Sequence, residues 1–393
     1  MFHNFDEDIN RYNTACSKWD NVLTRCGRAD VLPMWTADTD FACPEPIVRA
    51  VQRRAAHPIY GYPYTLPEFY SVTADWISRR HGWKIEQDWV MFTTGVVPVF
   101  QNSIQSFTDP GDEVIIQPPV YHSFAHAIEE NGRKVSNNCL IYENGTYRID
   151  FADLERRAAS PKAKMMIVCS PHNPVGRVWT EEELYRIGEI CHNNNVTLVI
   201  DEIHSDLIYC GHRHVPLASL DKRFLENTIT CYAPSKTFNT AGLRGSGIIV
   251  PNPRLKKALE NRFKMNKGIM QNIFAIPAYI AAYTECDEYV GEMVAYLAAN
   301  IDYVRAFCSE NMPKMKLVEP EATFLIWLDC SEMGIAGDEI MDFFLNKAHI
   351  GIVNGAQFGP GGEHFARINI GCPRFRVQQA FNQICEAYQK AGY

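Results

Sequence analysis

The amino-acid sequence predicts an α/β protein, with a large, mostly parallel sheet unit and a smaller α+β unit after it. Strand and helix signals alternate from residue 89 to residue 251. From about residue 275 they give way to a long helical stretch and then a few strands interleaved with helices. The strand-like runs of the middle also end in polar residues, as parallel strands do where their carboxyl ends open on a crevice. This pattern divides the chain into an N-terminal arm over residues 1–45 that returns to the smaller unit, a large unit over 46–285, and a small unit over 286–393.

Taken in order, the first forty-odd residues show little periodicity, which suits an arm. The segment His57-Pro-Ile-Tyr-Gly-Tyr-Pro-Tyr64 is aromatic and punctuated by Pro and Gly. It reads as an ordered loop, with Tyr60 and Tyr64 as loop packing. Trp89–Thr93 reads as a strand, and a helix over Val96–Phe107 opens directly after Gly95. Glu113–Gln117 is a further strand, closed by Pro118-Pro119. Met165–Ser170 is another. Thr180-Glu-Glu-Glu183 is a capping box ahead of Leu184, Ile187, Ile190 and Cys191, which recur on one helical face. The strand Val196–Asp201 follows at once, so residues 165–201 form a βαβ unit. Thr228–Ser235 and Ser246–Pro251 are β-rich runs on either side of Lys236. Ala275–Cys308 carries Ala, Tyr, Leu and Ile at helical spacing, with Gly291 as its weak point. Thr323–Leu328 and Phe365–Ile370 are strands of the smaller unit.

Composition narrows the function classes. At 393 residues and 46% hydrophobic content the chain has ample material for more than one core. A formal net charge of −8 lacks the basic stripe of a nucleic-acid binder. The acidic start is unlike a signal peptide, and no apolar run reaches transmembrane length. The 13 cysteines are scattered singly with no Cys-x-x-Cys pair, so they read as buried thiols in a reducing cytoplasm rather than disulfides or a metal site.

Three strand-like runs deliver, in order, Asn173, Asp201 and Lys236 to the loops that follow them. In a parallel sheet those loops share one crevice. An amide, a carboxylate and an amine converging there suggest an internal aldimine with pyridoxal phosphate. Lys236 supplies the Schiff base, and Asp201 keeps the pyridine nitrogen protonated. Phosphate needs donors. Thr94-Gly95-Val96-Val97 lies at a strand-to-helix junction where free amides favour an anion, and Ser235 and Arg244 flank Lys236. Tyr121, on a loop after a strand, offers a π-face for a cofactor ring or is an ordinary core tyrosine. Arg367 lies inside an apolar strand, where a charge must be paired or await a substrate carboxylate. His204 is a core histidine unless its position three residues after Asp201 matters. No nucleophile elbow, His-Glu-x-x-His or phosphate-binding P-loop is present.

Ser-Pro-His-Asn-Pro-Val-Gly, Asp-Glu-Ile-His-Ser-Asp, Ser-Lys-Thr-Phe-Asn and Arg-Ile-Asn-Ile-Gly resemble the fold-type-I pyridoxal-phosphate enzymes of the class I/II aminotransferase superfamily. Leu32-Pro-Met-Trp-Thr-Ala-Asp38-Thr-Asp-Phe41 and Tyr60-Gly-Tyr62 look like its cystathionine β-lyase/cystalysin branch of C–S lyases. The resemblance runs essentially end to end and implies an aspartate-aminotransferase-like fold. It makes Lys236 the aldimine lysine and Asp201 the partner of the ring nitrogen. Asn173 then bonds the phenolic oxygen, and Tyr121 stacks on the ring. Gly95, Val96, Val97, Ser235 and Arg244 fall at phosphate positions, and Tyr62 reaches the phosphate of a neighbouring subunit in a homodimer with shared sites. Arg367 becomes the clamp for the substrate α-carboxylate, with Asn173 and Trp35 also on the substrate side. His204 stands where typical aminotransferases place a tyrosine, which favours a lyase, whereas Arg244, eight residues after Lys236, is the aminotransferase-like choice. The implied activity is C–S β-elimination from L-cystathionine or related S-substituted L-cysteines. An aminotransferase is the alternative, and a non-catalytic regulator that retains the fold is a further one.

Overall fold

The computed structural model describes residues 3–266 and 270–393. Seven strands form the larger sheet: β1 (Val90–Thr93), β2 (Glu113–Ile116), β3 (Lys134–Asn137), β4 (Ala163–Cys169), β5 (Thr197–Asp201), β6 (Thr228–Tyr232) and β7 (Ser246–Ile249). Their spatial order is β1-β7-β6-β5-β4-β2-β3. Every pairing is parallel except those of β7, which runs antiparallel to both neighbours. The central strands are apolar at nearly every position because helices cover both faces. Alternate residues serve the two sides. Met166, Val168, Leu198 and Ile200 join one core. Met165, Ile167, Val199 and Ile229 join the other.

Two details place the functional crevice. Asp201 is level with Cys169 on β4 and with Cys231 on β6, so these three strands end together. The helix between β4 and β5, Glu181–Asn193, opens on the expected capping box: Glu183 N donates to Thr180 Oγ1 at 3.1 Å, and Thr180 N to Glu183 Oε2 at 2.9 Å. That reciprocal pair satisfies two otherwise orphan donors and is worth about 1 kcal/mol.

A second, antiparallel sheet comprises β8 (Lys316–Val318), β9 (Leu325–Asp329), β10 (Val353–Asn354) and β11 (Phe365–Asn369), in the order β8-β9-β11-β10. The expected helix over 275–308 is two helices, Ala275–Glu285 and Asp287–Asn311, broken at Cys286 (φ −119°, ψ 22°) and not at Gly291. Gly291 stays helical because it faces open space, where a missing side chain costs little packing. The N-terminal residues lie against this part of the chain. Leu32–Pro33 pairs in parallel with Ile350–Gly351, and Asp40 N donates to Gly371 O at 2.8 Å. Phe5 packs on Phe41, Tyr289 and Tyr296. Among the described residues no helix is long and apolar enough to cross a membrane.

Candidate active site

The carboxyl ends of β4, β5 and β6 open on a cavity of about 650 Å³. Lys236, Asp201, Asn173, Tyr121, Gly95, Val96, Val97, Ser235, Arg244, His204, Arg367 and Trp35 all line it. Tyr62 does not; its side chain is 98% exposed. Tyr60 and Tyr64 are exposed too, but Tyr60 still packs within the loop region as expected, with Arg54 6.0 Å over its ring, whereas Tyr64 has no such contact among the described residues. Only the Tyr60 hydroxyl is anchored locally, donating to Ala55 O at 2.8 Å. The Tyr60 ring also lies near that of Phe274, with centroids 6.4 Å apart.

Lys236 lies in the single turn Pro234–Thr237 directly after β6. Its Nζ donates to Ala37 O at 2.6 Å. Burial, and then the positive charge of Arg367, bring its pKa down to about 8, so a sizeable share of the amine is neutral in mildly alkaline solution. Asp201, at the end of β5, is 3% exposed. It accepts a 3.3 Å bond from Ile203 N and has no ion pair among the described residues. Burial raises its pKa to about 7. A buried acid in this state is short of a cationic hydrogen-bond donor. His204 lies edge-on to Phe324, and burial drives its pKa well down, so it is neutral; its Nδ1 is buried without a partner.

In cofactor-free protein a carboxyl whose folded pKa exceeds its unfolded value costs stability. The cost begins above the unfolded pKa and is complete once pH passes about 7. Asp201→Asn removes that cost. The cofactor-free variant is expected to melt higher than the parent at pH 8, with the gap closing towards pH 4. A scanning-calorimetry comparison that finds equal melting at pH 8 contradicts the buried, unpaired state of Asp201.

The anion-binding end departs from expectation at one atom. Gly95, at φ +125°, does not offer a free amide, since its N–H donates to Ser246 Oγ at 2.8 Å. Ser246 comes from the antiparallel β7, opposite Thr93, a pairing with no local sequence signal. Val96 and Val97 open the helix Val97–Phe107, where first-turn amides have no intrahelical acceptor. Ser235 and Arg244 line the same end, and Arg244 makes no ion pair among the described residues.

At the opposite wall Arg367, on β11, is 4% exposed. Nη1 donates to Asn173 Oδ1 at 3.2 Å and Nη2 to Trp35 O at 2.9 Å, while Nε has no partner. No carboxylate among the described residues pairs with it, and burial lowers its pKa to about 10. Its guanidinium lies 5.0 Å over the Phe358 ring. Residues 35–41 form a strap held by main-chain oxygens. Besides Trp35 and Ala37, Asn369 Nδ2 binds Asp38 O at 2.6 Å, and Asn239 Nδ2 binds Thr39 O and Phe41 O at 2.9 and 3.1 Å. Arg25, Asp38, His122, Ser246 and Gln357 also line the cavity and were not singled out in the sequence. Apart from Ser246, each belongs to a segment with little periodic signal.

This donor set fits pyridoxal phosphate. A low-pKa amine suits its aldehyde, a buried acid lacking a cation suits its ring nitrogen, and Ser235, Arg244 and the helix start suit its phosphate. A parallel sheet that gathers these groups at its carboxyl edge defines a class of enzyme that holds this cofactor through a lysine. The chain belongs to the class I and II aminotransferase family, whose model matches residues 30–384. It is 42% identical over 382 residues to cystathionine beta-lyase PatB of Bacillus subtilis, covering 97% of this chain and 98% of that protein. Cystalysin of Treponema denticola, a structure that contains pyridoxal 5'-phosphate, superposes with a TM-score of 0.96 at 33% identity over 100% of both chains. The PLP-bound C–S lyase of Staphylococcus hominis gives 0.91 at 32% identity, covering 98% of each.

Proposed function

We propose that this chain is a pyridoxal-phosphate-dependent C–S β-lyase, converting L-cystathionine or related S-substituted L-cysteines and water to a thiol, pyruvate and ammonia. The observation that carries it is the buried Arg367 guanidinium, without a carboxylate partner, facing the cavity that holds Lys236 and Asp201. The activity named for the Bacillus subtilis relative supports the choice of reaction.

Lys236, Asp201, Asn173, Tyr121, His204, Ser235, Arg244 and the first amides of the helix at Val97 would hold the cofactor. Bound there, pyridoxal phosphate supplies an electron sink for the pair left at Cα when its proton departs. The protein does the rest. Arg367 receives the substrate α-carboxylate as a two-pronged, charge-assisted pair, and its bond to Asn173 fixes the direction of that grip. Such positioning supplies a large part of the barrier reduction. Lys236 Nζ takes the Cα proton as general base, and its low pKa leaves it free to accept it. The sulfur then leaves Cβ as a thiolate. Asp201, buried and without an ion pair among the described residues, would accept a hydrogen bond from the ring nitrogen and keep a proton there. The Ala37 carbonyl of the strap holds the lysine amine at the cavity.

The deciding measurement is pyruvate release from L-cystathionine by purified, cofactor-loaded protein with no keto acid added. Steady release is expected. Transfer that runs only when a keto acid is supplied would replace this reading with the aminotransferase alternative, which Arg244 favours.

We further infer that the active unit is a homodimer in which Tyr62 reaches the phosphate of the other subunit. Support comes from the exposure of Ile59, Tyr60, Tyr62 and Tyr64, an apolar patch that solvent disfavours. Mixing inactive Lys236→Ala chains with impaired Tyr62→Ala chains should restore activity, since one site of a heterodimer keeps both groups. No recovery despite subunit exchange would place Tyr62 in its own chain. The contacts of the N-terminal strap support residues 1–45 as an arm, 46–285 as the cofactor-binding domain and 286–393 as the smaller domain. Thirteen free cysteines support a cytoplasmic setting.

A further inference from the structure

Arg25 stands at the same cavity with no work assigned to it. It lies in the short helix Val22–Cys26 and lines the cavity. Its guanidinium sits 5.1 Å over the Trp35 ring. Among the described residues it makes no ion pair and no side-chain hydrogen bond. Trp35 also links it to Arg367, whose Nη2 binds the Trp35 carbonyl at 2.9 Å. Two guanidiniums thus flank one residue, Arg367 at its backbone and Arg25 at its indole face. His122 lies in the field of both. Burial first, and then the charges of Arg367, His126 and Arg25, hold its imidazole neutral, with a pKa near 4. The nearby acid is already engaged, since Asp38 pairs with Arg11 at 2.7 Å and lies 3.9 Å from Lys18. Besides Arg244 among the expected phosphate donors, the cavity therefore presents two guanidiniums without protein anions among the described residues, Arg367 buried and Arg25 towards solvent.

We propose that Arg25 is a specificity-determining residue that receives a second, distal carboxylate on the substrate. The favoured substrates are then S-substituted L-cysteines whose sulfur substituent is itself an acid. The inference rests on the lyase reading above, with Arg367 on the α-carboxylate. A lone exposed arginine is ordinarily only a solvated charge. Here the indole limits its freedom, and Arg25 and Arg367 share both Trp35 and the cavity. Since Arg25 is exposed, its contribution should be felt on encounter and be screened by salt.

The test compares S-(2-carboxyethyl)-L-cysteine with its neutral isostere S-(2-carbamoylethyl)-L-cysteine on cofactor-loaded protein. Wild type is expected to favour the acid in kcat/KM, and the acid-to-amide ratio should shrink as ionic strength rises. Arg25→Gln should lower that ratio by about tenfold and abolish its salt dependence. Arg25→Glu should favour the amide. A ratio within twofold of wild type in Arg25→Gln overturns the proposal. Calorimetric titration with pimelate and heptanoate reads the same contact without turnover. If neither thioether is cleaved, the lyase reading falls and the titration decides. Loss of the pimelate preference in Arg25→Gln then supports the distal contact, and a retained preference overturns it.

Discussion

Lys236→Ala should lower lyase turnover by about a thousandfold or more, because one substitution removes both the nucleophile for the cofactor aldehyde and the general base at Cα. The variant should still retain the cofactor non-covalently. Ser235, Arg244 and the helix start at Val97 are untouched, and Asp201 still lacks any other cationic donor. Two readouts separate these effects. Borohydride should fix the cofactor to wild type at Lys236 alone and to the variant nowhere, while absorbance after gel filtration reports cofactor retained by the variant. A borohydride-fixed adduct on another lysine would sink the assignment. The chemical reason for choosing Lys236 is its environment. Burial and Arg367 depress its pKa to about 8, whereas a surface lysine stays protonated well beyond that.

The second large effect belongs to Arg367. Arg367→Ala should lower kcat/KM for every amino-acid substrate, mainly through KM. Loss of a buried, two-pronged charge pair is worth about 2–4 kcal/mol, roughly thirty- to several-hundredfold. The substitution also strips donors from Asn173 Oδ1 and Trp35 O, so thermal melting belongs beside the kinetics. Arg367→Lys keeps the charge but cannot present the planar fork, and it should remain impaired. Wild-type KM in both variants would mean that the carboxylate is held elsewhere.

What the sequence revealed follows from which forces are local. The βαβ unit around Glu181–Asn193 was legible because its capping box and apolar face lie within a few residues of one another. The same holds for Asn173, Asp201 and Lys236, each directly after an apolar run. The break at Cys286 was missed although Asp287 and Glu288 carry the acidic first turn of a new helix. Gly291 is the weakest helix former in that stretch, yet a solvent-facing glycine is tolerable in a long helix. The use of the Gly95 amide by Ser246 was invisible, since β7 pairs with β1 across more than a hundred residues of chain. Arg25 and Asp38 come from a segment with no periodicity, so nothing local says which of its residues face the cavity.

The strap over 35–41 has a consequence for biosynthesis. Its carbonyls are gripped by Lys236, Asn239, Arg367 and Asn369, all made long after it leaves the ribosome. The strap can pair early through Asp38 and Asp40 with Arg11 and Lys18, but its main-chain grip waits for partners made much later. Much of the grip falls on main-chain oxygens, so changes at the cavity-lining side chains of Thr36 or Ala37 leave that part of it intact. Evolution is free to retune what the strap shows the substrate without dismantling what holds it down.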